Sequence, residues 1–273
     1  MTGIGQALGD GWTVTRRNLI KIKRVPDLLV GSIVSPIMFV LLFAFVFGGS
    51  ISLPGAAQLD PALYRQFLIA GIFAQTMIFG ATITGTGMAQ DVKSGIVDRF
   101  RSLPMAPSAV LVGRTTADVV NNVLTILIMT LTGLVVGWRI TTSVGEAVLG
   151  YALLLFFAYC ISWLMAYVGL LVRTPEVFNN VSFIVIFPLT FIANTFVPSE
   201  NLPTPLRVFA EWNPVSSVTQ AARELFGNVI PGTPEPTAWP LQNPVLYTAL
   251  WGVVLLVFFV PLTVRQYQRA AAR

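Results

Sequence analysis

Apolar positions along this chain fall into long unbroken runs, not into the strict alternation of a half-buried strand. Six runs stand out, over residues 27–47, 67–89, 114–137, 146–172, 177–197 and 244–264. As helices rising about 1.5 Å per residue, each crosses a hydrocarbon layer about 30 Å thick. Lipid leaves no water to satisfy a bare backbone, so apolar spans of this kind must bond internally as helices. The pattern therefore predicts an all-α integral membrane protein with six transmembrane helices, forming a single membrane domain over residues 1–273. The third and fourth runs are long enough to tilt or to protrude.

Three stretches outside the runs have a helical period of their own. In residues 1–25, Ile4, Leu8, Trp12, Leu19 and Ile22 lie on one stripe, with Arg17, Lys21 and Arg24 away from it. That is an amphipathic helix suited to lie on a membrane surface. The first apolar run begins too late, and is too long, for a cleaved signal. In residues 91–104, five charges crowd into Asp91–Arg101, while Ile96, Phe100 and Leu103 form an apolar stripe and Pro104 ends the helix. Such a helix docks into a groove on a partner or rests on lipid. Residues 198–243 form a proline-punctuated loop. Within it, a short helix is expected from Pro214 to a glycine stop at Gly227, with Val215, Val218, Ala222 and Leu225 on one face.

Charge fixes the orientation. The chain is 55% hydrophobic and only 11% charged, with net charge +5, mean hydropathy +0.74 and a pI near 9.7. With the N-terminus inside, the inner segments hold Arg16, Arg17, Lys21, Lys23, Arg24, Lys93, Arg99, Arg101, Arg114, Arg173, Arg265, Arg269 and Arg273. The outer segments hold Arg65, Arg139, Arg207 and Arg223. This excess places both termini in the cytoplasm of a multi-pass cell-membrane protein. It also accounts for the basic pI, so no nucleic-acid partner is expected. Cys160 is the single cysteine and there is no histidine, which removes disulfides and the commonest metal ligand. No phosphate loop, nucleophile elbow or zincin motif occurs. No catalytic, metal or cofactor-binding residue is expected, although a membrane enzyme working with Asp or Glu stays open.

Polar residues inside apolar runs are costly unless partnered. The second run carries Gln75 and Thr82 among glycines, and the fifth carries Asn179, Asn180 and Asn194. These are candidates for a wetted substrate path, with helix–helix packing as the alternative. Arg114 and Asp118, four apart, are expected to pair near the inner face. No ionisable residue lies at mid-membrane, which argues against a proton- or sodium-driven carrier, the main competing transporter class.

The stretch "D-x-x-x-G-x-x-D-R-F-R-S-L-P-M-A-P-S-A-V-L-x-G-R" from Asp91 to Arg114, with "EWNPVSSVTQAARELFGN" in the long outer loop, resembles the permeases of ABC-2 type exporters, in particular their daunorubicin-resistance branch. The likeness covers essentially the whole chain. That family often has Glu where Asp91 stands, and Thr where this chain has Ile96. The resemblance implies a permease without its own ATPase, joined to a separate ABC ATPase subunit that holds the ATP and Mg, and to a second permease chain, identical or homologous. It implies a coupling role for Gly95, Ile96, Asp98, Arg99, Phe100, Arg101, Leu103 and Pro104. It implies a cavity at the interface between the two permease chains, faced by the second and fifth spans, and an amphipathic drug-like, lipid or glycolipid substrate.

Overall fold

The computed structural model describes residues 26–43, 45, 61–97, 107–196, 198–199, 202–230 and 235–270. The surface helix expected over 1–25 lies outside them, as do residues 98–104 of the expected 91–104 helix. Among the described residues all regular structure is helical: α1 (Pro26–Leu42), α2 (Pro61–Gly80), α3 (Thr82–Lys93), α4 (Pro107–Val136), α5 (Val144–Leu171), α6 (Pro175–Phe191), α7 (Thr204–Trp212), α8 (Pro214–Phe226), α9 (Trp239–Gln242) and α10 (Pro244–Ala270). Four helical stretches are long and apolar enough to cross a membrane: Leu63–Lys93, which joins α2 to α3, then Val110–Val136, Val144–Leu171 and Pro244–Arg269. The protein is thus an integral membrane protein. Helices α1 and α6, of 17 residues each, sit at the lower limit for a crossing.

Helix α5 is the hub, packed against α10, α3, α8, α4 and α2. It starts at a capping box, in which Ser143 accepts from the Glu146 backbone and Glu146 accepts from the Ser143 backbone, satisfying two orphan donors of the first turn. Where α5 meets α3, a side chain on Gly169 would collide with the Gly85 backbone. Two glycines let these backbones touch, the small-residue device of membrane bundles. The α2–α3 stretch is the most enclosed span, 72% buried, while α10 is only 17% buried and turns its Val253, Val257 and Phe258 outward. Outward apolar side chains of this kind are lipid-facing in a membrane protein.

The expected helix in the long loop is α8. Asn213 caps it through Val215 N–H, and it closes at Gly227, whose φ of +70° is the left-handed C-terminal stop. Val215, Val218, Ala222 and Phe226 are buried against the bundle. The short 138–143 connection is stitched to its end, since Thr141 N–H donates to Phe226 O, and Trp138 Nε1 donates to Asn228 Oδ1 at 2.7 Å. Trp138 packs edge-on to Phe73 and Phe226. This end of the bundle is capped by its own loop.

Two boundaries differ from expectation. The fifth apolar run continues to residue 197, but α6 ends at Phe191. A carbonyl of its last turn and a backbone N–H of the following turn find partners on the capping loop: Asn213 Nδ2 donates to Leu189 O, and Asn194 N–H donates to Ser216 Oγ. The chain can therefore leave the helix without orphaning its backbone. At the other end of the bundle, α3 runs to Lys93 and stops at Gly95, φ +68°. A separate helix over the charged patch thus begins at Ile96 at the earliest, not at Asp91.

Candidate functional site

The break between α2 and α3 falls at Ala81, inside the second apolar run. Thr82 Oγ1 turns back to Phe79 O at 2.6 Å, offering that carbonyl a side-chain donor. Opposite lies Pro36 inside α1, which has no N–H to give and so leaves a carbonyl one turn earlier without its helical donor. Between these two irregular points opens a cavity of about 300 Å³ lined by Phe39, Gln75, Phe79, Phe183, Phe187 and Phe191, among others. A second cavity of about 210 Å³ shares Ser35, Pro36, Thr76 and Phe79 with it and extends to Asn121, Asn122 and Thr125 on α4. Phe187 stacks on Phe191 with centroids 4.2 Å apart, and Phe191 meets Phe196 at 5.1 Å. Gln75 is 4% exposed, and its Nε2 has no hydrogen-bond partner. The site is an aromatic-walled slot with one unsatisfied donor, suited to a flat apolar body that carries an acceptor.

Of the expected path residues, only Gln75 lines this slot. Thr82 sits at the break beside it. Asn179, near the start of α6, accepts from Thr86 Oγ1 at 2.8 Å and serves as a helix-to-helix tie. Asn180 is exposed on α6. Asn194 lies beyond α6, at the α8 end of the bundle.

At the Lys93 end, α3 is bound to both neighbours. Arg114 of α4 reaches Asp91 of α3, Nη1 to Oδ2 2.5 Å, with both side chains nearly buried. The expected pair within α4 does not form: Asp118 instead accepts from Thr84 of α3. The physical reason is Gly87, where any side chain would occupy the space of the Arg114 guanidinium. The notch leads Arg114 across α3 to Asp91. Lys93 pairs with Glu176 of α6 at 3.4 Å, an exposed contact of small energetic weight. Together with Thr86–Asn179, these contacts tie the end of α3 to α4 and α6. Gly95 and the partly buried Ile96 follow directly. Asp98, Arg99, Phe100, Arg101, Leu103 and Pro104 lie outside the described residues.

One residue escaped the sequence reading. Arg223 is 1% exposed. Its Nε donates to Phe67 O at 3.1 Å, and its Nη2 to Asn194 O and Thr195 O at 2.7 and 3.0 Å. Its guanidinium lies 3.4 Å from the centre of the Phe67 ring, a cation–π contact. It clamps α8, the start of α2 and the turn after α6 together. The available signal was a basic residue on the same face as Val215, Thr219 and Phe226.

Comparison with known proteins adds to this geometry. The sequence profile of a family described as ABC-2 type transporter matches residues 10–226. The chain is 30% identical over 271 residues to the daunorubicin resistance ABC transporter permease protein DrrB1 of Streptomyces coeruleorubidus, covering 99% of this chain and 89% of that protein. It is 24% identical over 238 residues to the doxorubicin resistance ABC transporter permease protein DrrB of Mycobacterium tuberculosis, covering 85% and 82% respectively.

Proposed function

Because this chain belongs to the ABC-2 type transporter family, we infer that it is the permease subunit of an ATP-driven exporter that moves amphipathic, drug-like or lipid molecules out of the cytoplasm or the inner leaflet. The ATP and Mg are held by a separate ABC ATPase, and a second permease chain completes the membrane unit. In this reading α1 and α6 are the remaining crossings of a six-span protein, the Lys93 end is cytoplasmic, and the α8 end is outside. The observation that carries the substrate side is the slot between α1, α2 and α6. Its phenylalanine walls and single amide donor at Gln75 suit a planar aromatic molecule bearing a carbonyl or ether oxygen.

The test is stimulation of the assembled transporter's ATPase by compound pairs that differ in that oxygen. Gln75→Leu should weaken stimulation by the acceptor-bearing member about fivefold, the worth of one hydrogen bond near 1 kcal/mol. It should leave the purely apolar member unchanged or better. Equal loss for both members would return Gln75 to a packing role.

The coupling side rests on the ties that join α3 to α4 and α6. A partner ATPase gripping residues 96–104 would move three helices at once. Ile96, Phe100 and Leu103 would fill a groove, with Asp98, Arg99 and Arg101 at its rim and Gly95 and Pro104 bounding the segment. Buried aromatic anchors contribute about 2 kcal/mol or more. Phe100→Ala should therefore weaken ATPase association roughly 30-fold, read as a lower ATPase-to-permease ratio after purification. An unchanged ratio with normal membrane insertion would leave the segment resting on lipid.

A further inference from the structure

Beneath α8 lies another cavity, of about 540 Å³, that shares no lining residue with the aromatic slot. Its charged lining residues are Arg223, Glu224 and Glu235. Arg223 already directs donors at three backbone carbonyls and lies over the Phe67 ring. The carboxylates have no such engagement. Glu224 accepts one amide hydrogen bond, from Gln220 at 3.0 Å, and among the described residues neither Glu224 nor Glu235 forms an ion pair. Desolvation raises the Glu224 carboxyl above its ordinary pKa, with the Gln220 bond acting the other way. Asn194 lines the same cavity, is 5% exposed, and has an Oδ1 with no hydrogen-bond partner.

The wall therefore offers acceptor oxygens of two kinds: two exposed carboxylates that form no ion pair among the described residues, and the buried Asn194 amide oxygen that lacks a donor. Among the described residues no group of three or more His, Cys, Asp or Glu is placed to hold a metal ion. The volume also far exceeds that of a bare ion, and Phe67, Ile230 and Leu241 make much of the lining apolar. A primary ammonium has three N–H donors and no acceptor, and an apolar tail would cover the remaining wall. We propose that this outer cavity is a binding site for an amphipathic organic ammonium ion, with its N–H groups on Glu224, Glu235 and Asn194 Oδ1 and its apolar body against Phe67 and Leu241. The site is separate from the slot, and binding to it requires neither ATP nor the partner ATPase.

The test is binding of monodansylcadaverine, a fluorescent primary amine, to the purified full-length chain in phosphatidylcholine nanodiscs, with empty nanodiscs subtracted. Its N-acetyl derivative keeps the body and removes the charge. The wild type should bind the amine more tightly than the acetylated compound. Glu224→Gln and Glu235→Gln should each weaken amine binding about fivefold, and the double variant roughly 20-fold. Rising salt should weaken amine binding to the wild type and leave the double variant nearly flat. Both substitutions preserve shape at exposed positions, and unchanged binding of the acetylated compound checks the fold. Wild-type affinity in the double variant, or equal affinity for both compounds, overturns the proposal. So does loss of binding in Gln75→Leu alone, which would place the amine in the aromatic slot. The export reading is tested through substrate-stimulated ATPase activity, so it stands or falls independently of this result.

Discussion

Arg114→Met should destabilise the protein by about 3–5 kcal/mol, the usual cost of stripping one member from a buried ion pair. Arg114 faces Asp91 directly, and it is the positive charge nearest the second buried carboxylate, Asp118. Both acids are less than a tenth exposed. Removing the arginine leaves two acidic groups in a low-dielectric site with only Thr84 as a donor to Asp118. Asp91→Asn should cost less, because Arg114 keeps Asp118 as a counter-charge. The charge swap Asp91→Arg with Arg114→Asp should fail, since the Gly87 notch admits an arginine only from the α4 side and the carboxylate introduced on α4 would sit one turn from Asp118. Adding Asp91→Asn and Asp118→Asn to Arg114→Met should recover much of the loss. Unfolding titrations in mixed micelles measure this order, and a cost below about 1 kcal/mol for Arg114→Met would show that the pair is solvated. In the assembled transporter, Arg114→Met should also separate ATP hydrolysis from export.

Arg223→Leu is expected to be nearly as damaging, on the order of 3 kcal/mol, through the capping loop. The leucine fits the apolar contacts of α8 but leaves Asn194 O and Thr195 O without donors and abolishes the contact with the Phe67 ring. Arg223→Lys should recover only part of the loss. It keeps a charge but not the planar fork that reaches several carbonyls at once. Proteolysis from the outer side of intact cells reports the effect, with faster cleavage within 198–243 in the order Leu, Lys, wild type. Equal protection of all three would mean that apolar packing of α8 alone holds the loop.

These two sites also show where sequence reading stops. Long apolar runs and proline or glycine punctuation located α4, α5, α8 and α10, because each signal is local: length in the spans, Pro214 and Gly227 in the loop. The partner of Arg114 was not local. Spacing of four residues favoured Asp118, and only the notch at Gly87 on another helix redirects the arginine to Asp91. The end of α6 was missed for the same reason. Residues 192–197 are as apolar as the helix before them, and the groups that let the chain turn there belong to Asn213 and Ser216, some twenty residues on. Arg223 was counted as one of four outer charges, since burial of a basic residue is visible only once α8 is docked. Of the expected path residues, Gln75 lines the slot and Asn179 ties two helices, and spacing alone did not separate them, because an amide on a cavity wall and an amide between helices read alike. The stop of α3 was legible in principle, at Gly95.

Ala81 divides the second span into two stretches with different moorings. Above it, α2 is moored through Phe67 to Arg223 and the capping loop; below it, α3 is yoked to α4 and α6. In the exporter proposed above, a span moored in this way would work as a knee and not as a rod. A stroke delivered to the lower limb would bend the joint and reshape the aromatic slot beside it, while the upper limb would stay anchored. Inner and outer barriers would then open in succession, and the membrane would never be breached from side to side.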